Sequence, residues 1–235
     1  FSLTPAQEKC LREIREDLEQ ARPMSRLLQG EVGSGKTVVA AAALVLCAAS
    51  GFQGAFMVPT EVLADQHFRT LTRLLGQAAA SVDESGNVVS FALPGSFTLR
   101  MAILKGNLPG KARKEAMERV ASGEVNLVVG THALVQEGLE FKSLGLVVVD
   151  EQHRFGVMQR QALRQKGSTP HLLAMTATPI PRTLALTMYG DLDLSVIDQL
   201  PPGRKPVRTR IVGPQDRSRV YDFLRRQVAA GYQVF

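Results

Sequence analysis

The segment Gly30–Thr37, GEVGSGKT, sets glycines, a lysine and a hydroxyl residue in the spacing G-x-x-x-x-G-K-[ST]. That set of residues can bind phosphate. Gly33 and Gly35 let backbone N–H groups curl around phosphate oxygens at a helix N-terminus, with Gly30 and Ser34 completing the loop. Lys36 can reach the β- and γ-phosphates of a nucleotide, and the Thr37 hydroxyl can ligate Mg²⁺. The pattern means this only between a strand and a helix. Arg26–Gln29 is a short apolar run, and Val38–Ala49 reads as a helix.

A phosphate loop of this kind needs a carboxylate on a neighbouring strand to hold the metal. The stretch LGLVVVDEQHRFGV, Leu144–Val157, ends an apolar run on two acids. Ligands of open α/β sheets bind at the C-terminal strand edge, so Asp150 is read as the metal-side carboxylate. Glu151 is the residue to orient or deprotonate an attacking water. A purely structural alternative is an acidic pair at a helix N-terminus, favoured by the helix dipole. His153 as a zinc ligand finds no support, because His67, His132, His153 and His171 are scattered without Cys or His at ligand spacing. Gln152 and His153 read instead as a relay from the nucleotide to another part of the protein.

The N-terminal FSLTPAQEK carries a capping box, with Thr4 at the N-cap, Pro5 at the first helical position and Gln7 at the third. Helix capping explains Gln7 by itself. Its amide also has the donor and acceptor needed to read an adenine edge.

The elements that must position these residues follow from periodicity. Apolar runs rich in Val and Leu recur at Arg26–Gln29, Gln53–Val58, Thr98–Leu104, Val125–Val129, Leu144–Val149 and His171–Met175. Segments of helical period lie between them, such as Glu61–Leu75 and Ala112–Ala121. Strands alternating with helices predict an α/β fold, a doubly wound, mostly parallel sheet with helices on both faces. The runs are continuous, as strands buried on both faces require. Residues 78–96 break the rhythm, and their turn chemistry at Asp83–Asn87 predicts an inserted hairpin or loop on the surface. Pro201, Pro202, Gly203 and Pro206 mark a linker over 201–206 between a domain at 1–200 and a segment at 207–235. That segment reads as a strand at Val207–Val212, a helix at Gln215–Ala230 and the start of another apolar run, the truncated start of a second domain. The first residue is Phe1 rather than Met, which suggests a piece of a longer chain.

Composition sets outer bounds. The 235 residues are 45% hydrophobic, enough for a real core in one or two domains. No apolar run approaches the roughly 18–20 residues of a membrane span, and no signal-peptide pattern opens the chain. Cys10 and Cys47 have no partner spacing and read as buried thiols in a reducing compartment. A net charge of +6 suits a polyanionic partner as well as it suits an ordinary basic protein.

With Gly30–Thr37, Asp150–His153 and MTAT (Met175–Thr178) in this order, the chain resembles the first RecA-like motor domain of superfamily 2 helicases. The stretches LLQGEVGSGKTVVA, DEQHRFGVMQR and MTATPIPRTLALTMYGDLDLSVIDQLPPGRKPV resemble the RecG family of branched-DNA helicases, over nearly the whole chain. The insert at 78–96 departs from that family's usual length. The resemblance implies ATP and Mg²⁺ as cofactors and branched double-stranded DNA as partner, in a bacterial cytoplasm. It implies a second RecA-like domain and an upstream junction-binding domain in the same polypeptide. Gln7 then matches the adenine-reading Q motif, with Phe1 just upstream. Pro59 and Thr60 match motif Ia, and Gly130, Thr131 and His132 match motif Ib, both touching the DNA backbone. Thr176, Ala177 and Thr178 match motif III, with a hydrogen bond to His153 linking ATP state to DNA grip. Arginine fingers would come from the second domain, so this piece is expected to bind ATP but hydrolyse it poorly.

Other assignments stay open at this point. Transcription-repair coupling translocases share HRFG and TATPIPRT, although YGDLDLSVIDQLPPGRK favours the RecG side. A small-molecule P-loop kinase or GTPase would need none of motifs Ia, Ib and III, and no N-K-x-D guanine motif is present. A nucleotide-binding switch without turnover is the remaining class. Arg182, Arg204, Lys205, Arg208 and Arg210 read as a solvated basic face.

Overall fold

The structure, a computed structural model, describes residues 2–76, 80–82, 87–95, 97–134, 138–150, 170–178, 192–199 and 209–234. Phe1, Glu151, Gln152, His153 and the linker 201–206 lie outside the described residues, as do Arg182, Arg204, Lys205 and Arg208. The chain divides into two compact units, Phe1–Pro201 and Pro202–Phe235.

In the first unit the apolar runs become strands. These are β1 (Ser25–Gly30), β2 (Gln53–Met57), β5 (Phe97–Leu104), β6 (Leu127–Gly130), β7 (Leu144–Val149) and β8 (His171–Thr176). They are joined by β3 (Ala80–Val82), β4 (Val88–Leu93) and β9 (Asp193–Ile197) in one sheet of order β3-β4-β5-β6-β2-β7-β8-β1-β9. Every pairing from β5 to β9 is parallel, and β3-β4 and β4-β5 are antiparallel. The described helices of this unit are α1 (Pro5–Leu18), α2 (Lys36–Ala49), α3 (Glu61–Leu75) and α4 (Gly110–Ala121).

Alternation along the central strands divides the core in two. Phe56 and Val58, with Leu146 and Val148, pack into one cluster with Ile14 of α1, Leu44 of α2 and Leu71 of α3. Ala55 and Met57, with Val147 and Val149, face the opposite side with Ala116 and Val120 of α4. This is the doubly wound arrangement, and it explains why β2 reads as a continuous apolar run: all five of its residues are buried. Close approach matters at Gly54, where a Cβ would lie 2.4 Å from Leu44 Cδ2. Cys10 and Cys47 are free thiols within this core. Burial pushes the Cys10 thiol up to about 11 and that of Cys47 to about 12.

Three elements differ from the sequence expectation. The described residues of the insert pair as antiparallel strands, but they do not merely decorate the surface. β3 and β4 extend the sheet, and Val88, Val89 and Phe91 are buried. The physical reason is that β4 pairs along its whole length with β5, which turns its apolar residues onto the same core faces. β9 was not anticipated, since DLSVI has a polar residue at its centre and lies at the sheet edge beside β1. There Ser195 is buried because Arg26 Nη1 donates to its hydroxyl at 2.9 Å, and that hydroxyl donates in turn to the Glu13 carboxylate of α1. In the second unit the helix forms as α5, Arg217–Ala229. Residues 209–212 form no strand, and Ile211 is fully exposed. A strand needs a partner for its backbone groups, and the described residues of this short unit supply none. Among the described residues, no helix is long and apolar enough to cross a membrane.

The sheet register fixes where the chemistry can lie. Met57 aligns with Gly130 of β6 and with Val149 of β7, and Gln29 of β1 aligns with Thr176 of β8. The residues after β1, β2, β6, β7 and β8 therefore emerge along one edge of the sheet.

Candidate functional site

The loop after β1 folds as its glycines require. Gly33 and Gly35 take φ of +81° and +88°, a backbone region open to glycine and costly for other residues. Gly35 is also the N-cap of α2, and no side chain caps that end. The first amides of α2 and the positive end of its dipole are thus presented to the cleft. Lys36 lies across the loop, its Nζ donating to the carbonyls of Gly30 at 2.7 Å and Glu31 at 3.0 Å. Ser34 N donates to the Glu31 carbonyl at 3.0 Å, which tightens the turn.

Gln7 is brought onto this loop. Thr4 N donates to its Oε1 at 2.9 Å, the capping-box bond, and its Nε2 donates to the Ser34 carbonyl at 2.8 Å. The amide is buried and engaged at both ends, yet each end has capacity to spare, since a primary amide has two N–H groups and two lone pairs.

Asp150 follows β7 at the same edge, its backbone N–H donating to the Met57 carbonyl at 2.9 Å. Its Oδ2 accepts from His67 Nε2 at 2.9 Å. His67 belongs to α3 and lies against Phe56 of β2, the ring centroids 4.9 Å apart. Gly33, Gly35, Lys36, Thr37, His67 and Asp150 line one cleft of about 570 Å³. Sequence reading passed over His67 as one of four scattered histidines. The available signal was its place seven residues after the N-cap Thr60, two helical turns along α3 and so on the face of Leu63.

The remaining predicted residues fall nearby. Thr176 and Thr178 hydrogen-bond to each other through their hydroxyls at 2.8 Å, and Thr178 N donates to Thr176 Oγ1 at 3.2 Å. Ala177 between them lines the cleft. The expected partner His153 is outside the described residues. Pro59 and Thr60 follow β2, and Thr60 Oγ1 accepts from Leu63 N at 3.3 Å as the N-cap of α3. Gly130 ends β6, and its carbonyl accepts from Val58 N at 2.9 Å. Buried Thr131 opens the short turn His132–Leu134 through its carbonyl, which accepts from Leu134 N at 3.1 Å. The β2 and β6 groups therefore adjoin each other, and β2 separates β6 from β7, the strand that Asp150 follows.

This arrangement can do specific chemistry. Helix-start amides and an ammonium group face a cleft that also holds a hydroxyl and a carboxylate. Thr37 and Asp150 are the hard oxygen donors that suit Mg²⁺, and Lys36, held beside the loop on the Gly30 and Glu31 carbonyls, is placed to meet a phosphate.

Comparison with known proteins places the chain among relatives. The profile of the DEAD/DEAH box helicase family matches residues 4–187. The ATP-dependent DNA helicase RecG of Bacillus subtilis is 48% identical over 235 residues, and that of Streptococcus pneumoniae is 47% identical over the same length. Each alignment covers 100% of this chain and 32% of the relative, so the chain spans about a third of the length of those proteins. A solved structure of RecG bound to a three-way DNA junction superposes with a TM-score of 0.78 at 41% identity, covering 98% of this chain and 28% of that one. The Hef helicase domain of Pyrococcus furiosus shares the fold, with a TM-score of 0.57 at 20% identity over 94% of this chain and 44% of its own.

Proposed function

We propose that this chain, which belongs to the DEAD/DEAH box helicase family, is the ATP-binding half of a DNA motor that acts on branched DNA. The reading rests on one observation: Lys36, Thr37 and Asp150 meet in a single cleft, at the sheet edge that also carries Pro59, Thr60, Gly130 and Thr131. The RecG relatives are named as ATP-dependent DNA helicases, and one was solved on a three-way junction. Both facts support the assignment of substrate and partner.

In this reading Gly33, Gly35 and the first amides of α2 cradle the phosphates. Lys36 exchanges its two carbonyl partners for phosphate oxygens. Thr37 and Asp150 hold Mg²⁺, which when bound neutralises charge developing on the phosphates. Gln7 uses its second N–H and lone pair for the adenine edge while its first pair stays on the loop. Glu151 orients the attacking water, and Gln152 and His153 pass the state of the site to Thr176 and Thr178. Thr60, Gly130, Thr131 and His132 offer hydroxyl and N–H donors to the DNA backbone, and Pro59 lies beside Thr60 in the same turn. The segment after the linker is the start of a second RecA-like domain, and an upstream domain of the whole protein engages the junction. The chain binds ATP but turns it over poorly, because arginine fingers belong to that second domain.

The test is nucleotide binding by this chain, followed by ATP hydrolysis with no DNA, single strands and forked DNA. Lys36→Ala is expected to abolish binding. Hydrolysis is expected to be slow beside that of a chain carrying both motor domains. Wild-type nucleotide affinity in Lys36→Ala would overturn the site assignment. DNA-stimulated turnover matching the two-domain protein would overturn the division of labour.

A further inference from the structure

The His67–Asp150 contact is not explained by packing alone. The two side chains are nearly buried, 11% and 14% exposed, and meet at 2.9 Å inside the cleft that holds Lys36 and Thr37. The geometry requires a proton on His67 Nε2, because a carboxylate oxygen only accepts. Nδ1, on the protein side of the ring, is buried and has no partner among the described residues. Among the described residues the polar contact of the imidazole is therefore the one with Asp150. Phe56 lies against the ring and limits its freedom to turn elsewhere.

A donor on a metal-binding carboxylate does a definite job. It favours one carboxylate rotamer and so sets the direction in which the group meets the cleft. It occupies one of about four lone-pair positions, so coordination remains open to the same group. Partners of this kind, one shell out from the metal, typically contribute 10–100-fold in metal affinity. The donor here comes from α3, the helix whose N-cap is Thr60. The residue that orients Asp150 and the turn that carries Pro59 and Thr60 are thus parts of one rigid element, about two helical turns apart.

We propose that His67 is the positioning residue that aims Asp150 at the divalent cation of the bound nucleotide, and that it carries the cation's arrival into α3 and its Pro59–Thr60 turn. This rests on the ATP-binding role given above. Thr37 and Asp150 would hold Mg²⁺, and because the Asp150 carboxylate is tied through His67 to α3, the helix would be steadied when the metal nucleotide binds.

The experiment separates the N–H from the ring. His67→Phe keeps a ring against Phe56 and loses the donor; His67→Leu loses the donor with a smaller apolar side chain. His67→Gln loses the ring and keeps an N–H at a similar reach. For each variant of this chain, binding of a fluorescent ATP analogue is followed as Mg²⁺ is titrated, and amide exchange over Glu61–Leu75 is recorded with and without Mg²⁺ and nucleotide. The Phe and Leu variants are expected to need about tenfold more Mg²⁺ for half-maximal binding, with Gln close to wild type. Exchange in α3 should slow on Mg²⁺–nucleotide binding in wild type and Gln, but not in Phe or Leu. A merely structural ring would give the reverse order, with Phe nearest to wild type, and that order overturns the proposal. So does wild-type Mg²⁺ dependence in both Phe and Leu. If the wild-type chain binds no Mg²⁺–nucleotide at all, the ATP-binding role itself falls and this inference with it.

Discussion

The side-chain amide of Gln7 reaches from α1 to the phosphate loop and donates to the Ser34 carbonyl at 2.8 Å, and a Cβ on Gly35 would sit 2.3 Å from the same nitrogen. Glycine is therefore demanded at this position by a φ of +88°, and any added Cβ would also push the Gln7 amide off the loop. The loop and the N-terminal helix behave as one unit, and what disturbs the loop backbone must also displace the predicted adenine reader.

Gly35→Ala tests that unit. A non-glycine residue held in the left-handed region costs about 1–3 kcal/mol, and the Gln7 amide must also yield. The variant should lose stability by about that amount and unfold at a lower urea concentration. Its nucleotide affinity should fall about tenfold or more, since losing one hydrogen bond of about 1.5 kcal/mol already corresponds to that factor. Urea melts beside a nucleotide titration check both. Unchanged values for the two would show that the loop has room for a methyl group.

What the chain displays openly and what it conceals have physical causes. β2, β7 and β8 could be read as apolar runs because both of their faces are covered, so no alternation interrupts them. Gly30–Thr37 could be read because phosphate binding depends on local backbone geometry, which is local in sequence too. β9 was hidden because its central Ser195 is satisfied by Arg26 and Glu13, partners some 170 and 180 residues away in the chain. His67 was harder to read: its spacing from Thr60 gives the helix face, but its contacts with Phe56 and Asp150 exist only once α3 has packed on the sheet. The strand expected at 207–212 shows the opposite failure. The residues have the right propensity, and residues 209–212 still form no strand where the described residues offer no neighbour to pair with.

Phe91→Ala decides whether the inserted strands belong to the domain's cooperative core. Phe91 of β4 is fully buried and joins the cluster that includes Phe56, Leu71 and Leu99. Truncating a buried Phe costs about 3–5 kcal/mol. The expected outcome is a single unfolding transition displaced by that amount, with Mg²⁺–nucleotide affinity unchanged below the transition. If β3 and β4 were a loose decoration, the loss would be under about 1 kcal/mol.

Acid sensitivity should be traceable to His171, at the start of β8. Its Nδ1 accepts the Met24 N–H at 3.0 Å, which requires that nitrogen to be unprotonated. Burial pushes its pKa below the ordinary histidine value, and the nearby Asp17 offsets this only in part. In the unfolded chain the same group titrates near 6.5. Between the lowered folded value and about 6.5 the unfolded state binds more protons, so stability rises with pH across that window. The contribution is fully present above about 6.5 and is lost as pH falls toward the folded value. His171→Asn keeps an acceptor near the position of Nδ1 and cannot titrate in this range. Unfolding free energies of the two proteins, measured by urea at pH 7.5 and again at pH 5.5, should differ in slope. Wild type should lose more stability on acidification than the variant. Equal losses would show that the histidine stays neutral in both states or charged in both, and that the acid sensitivity lies elsewhere.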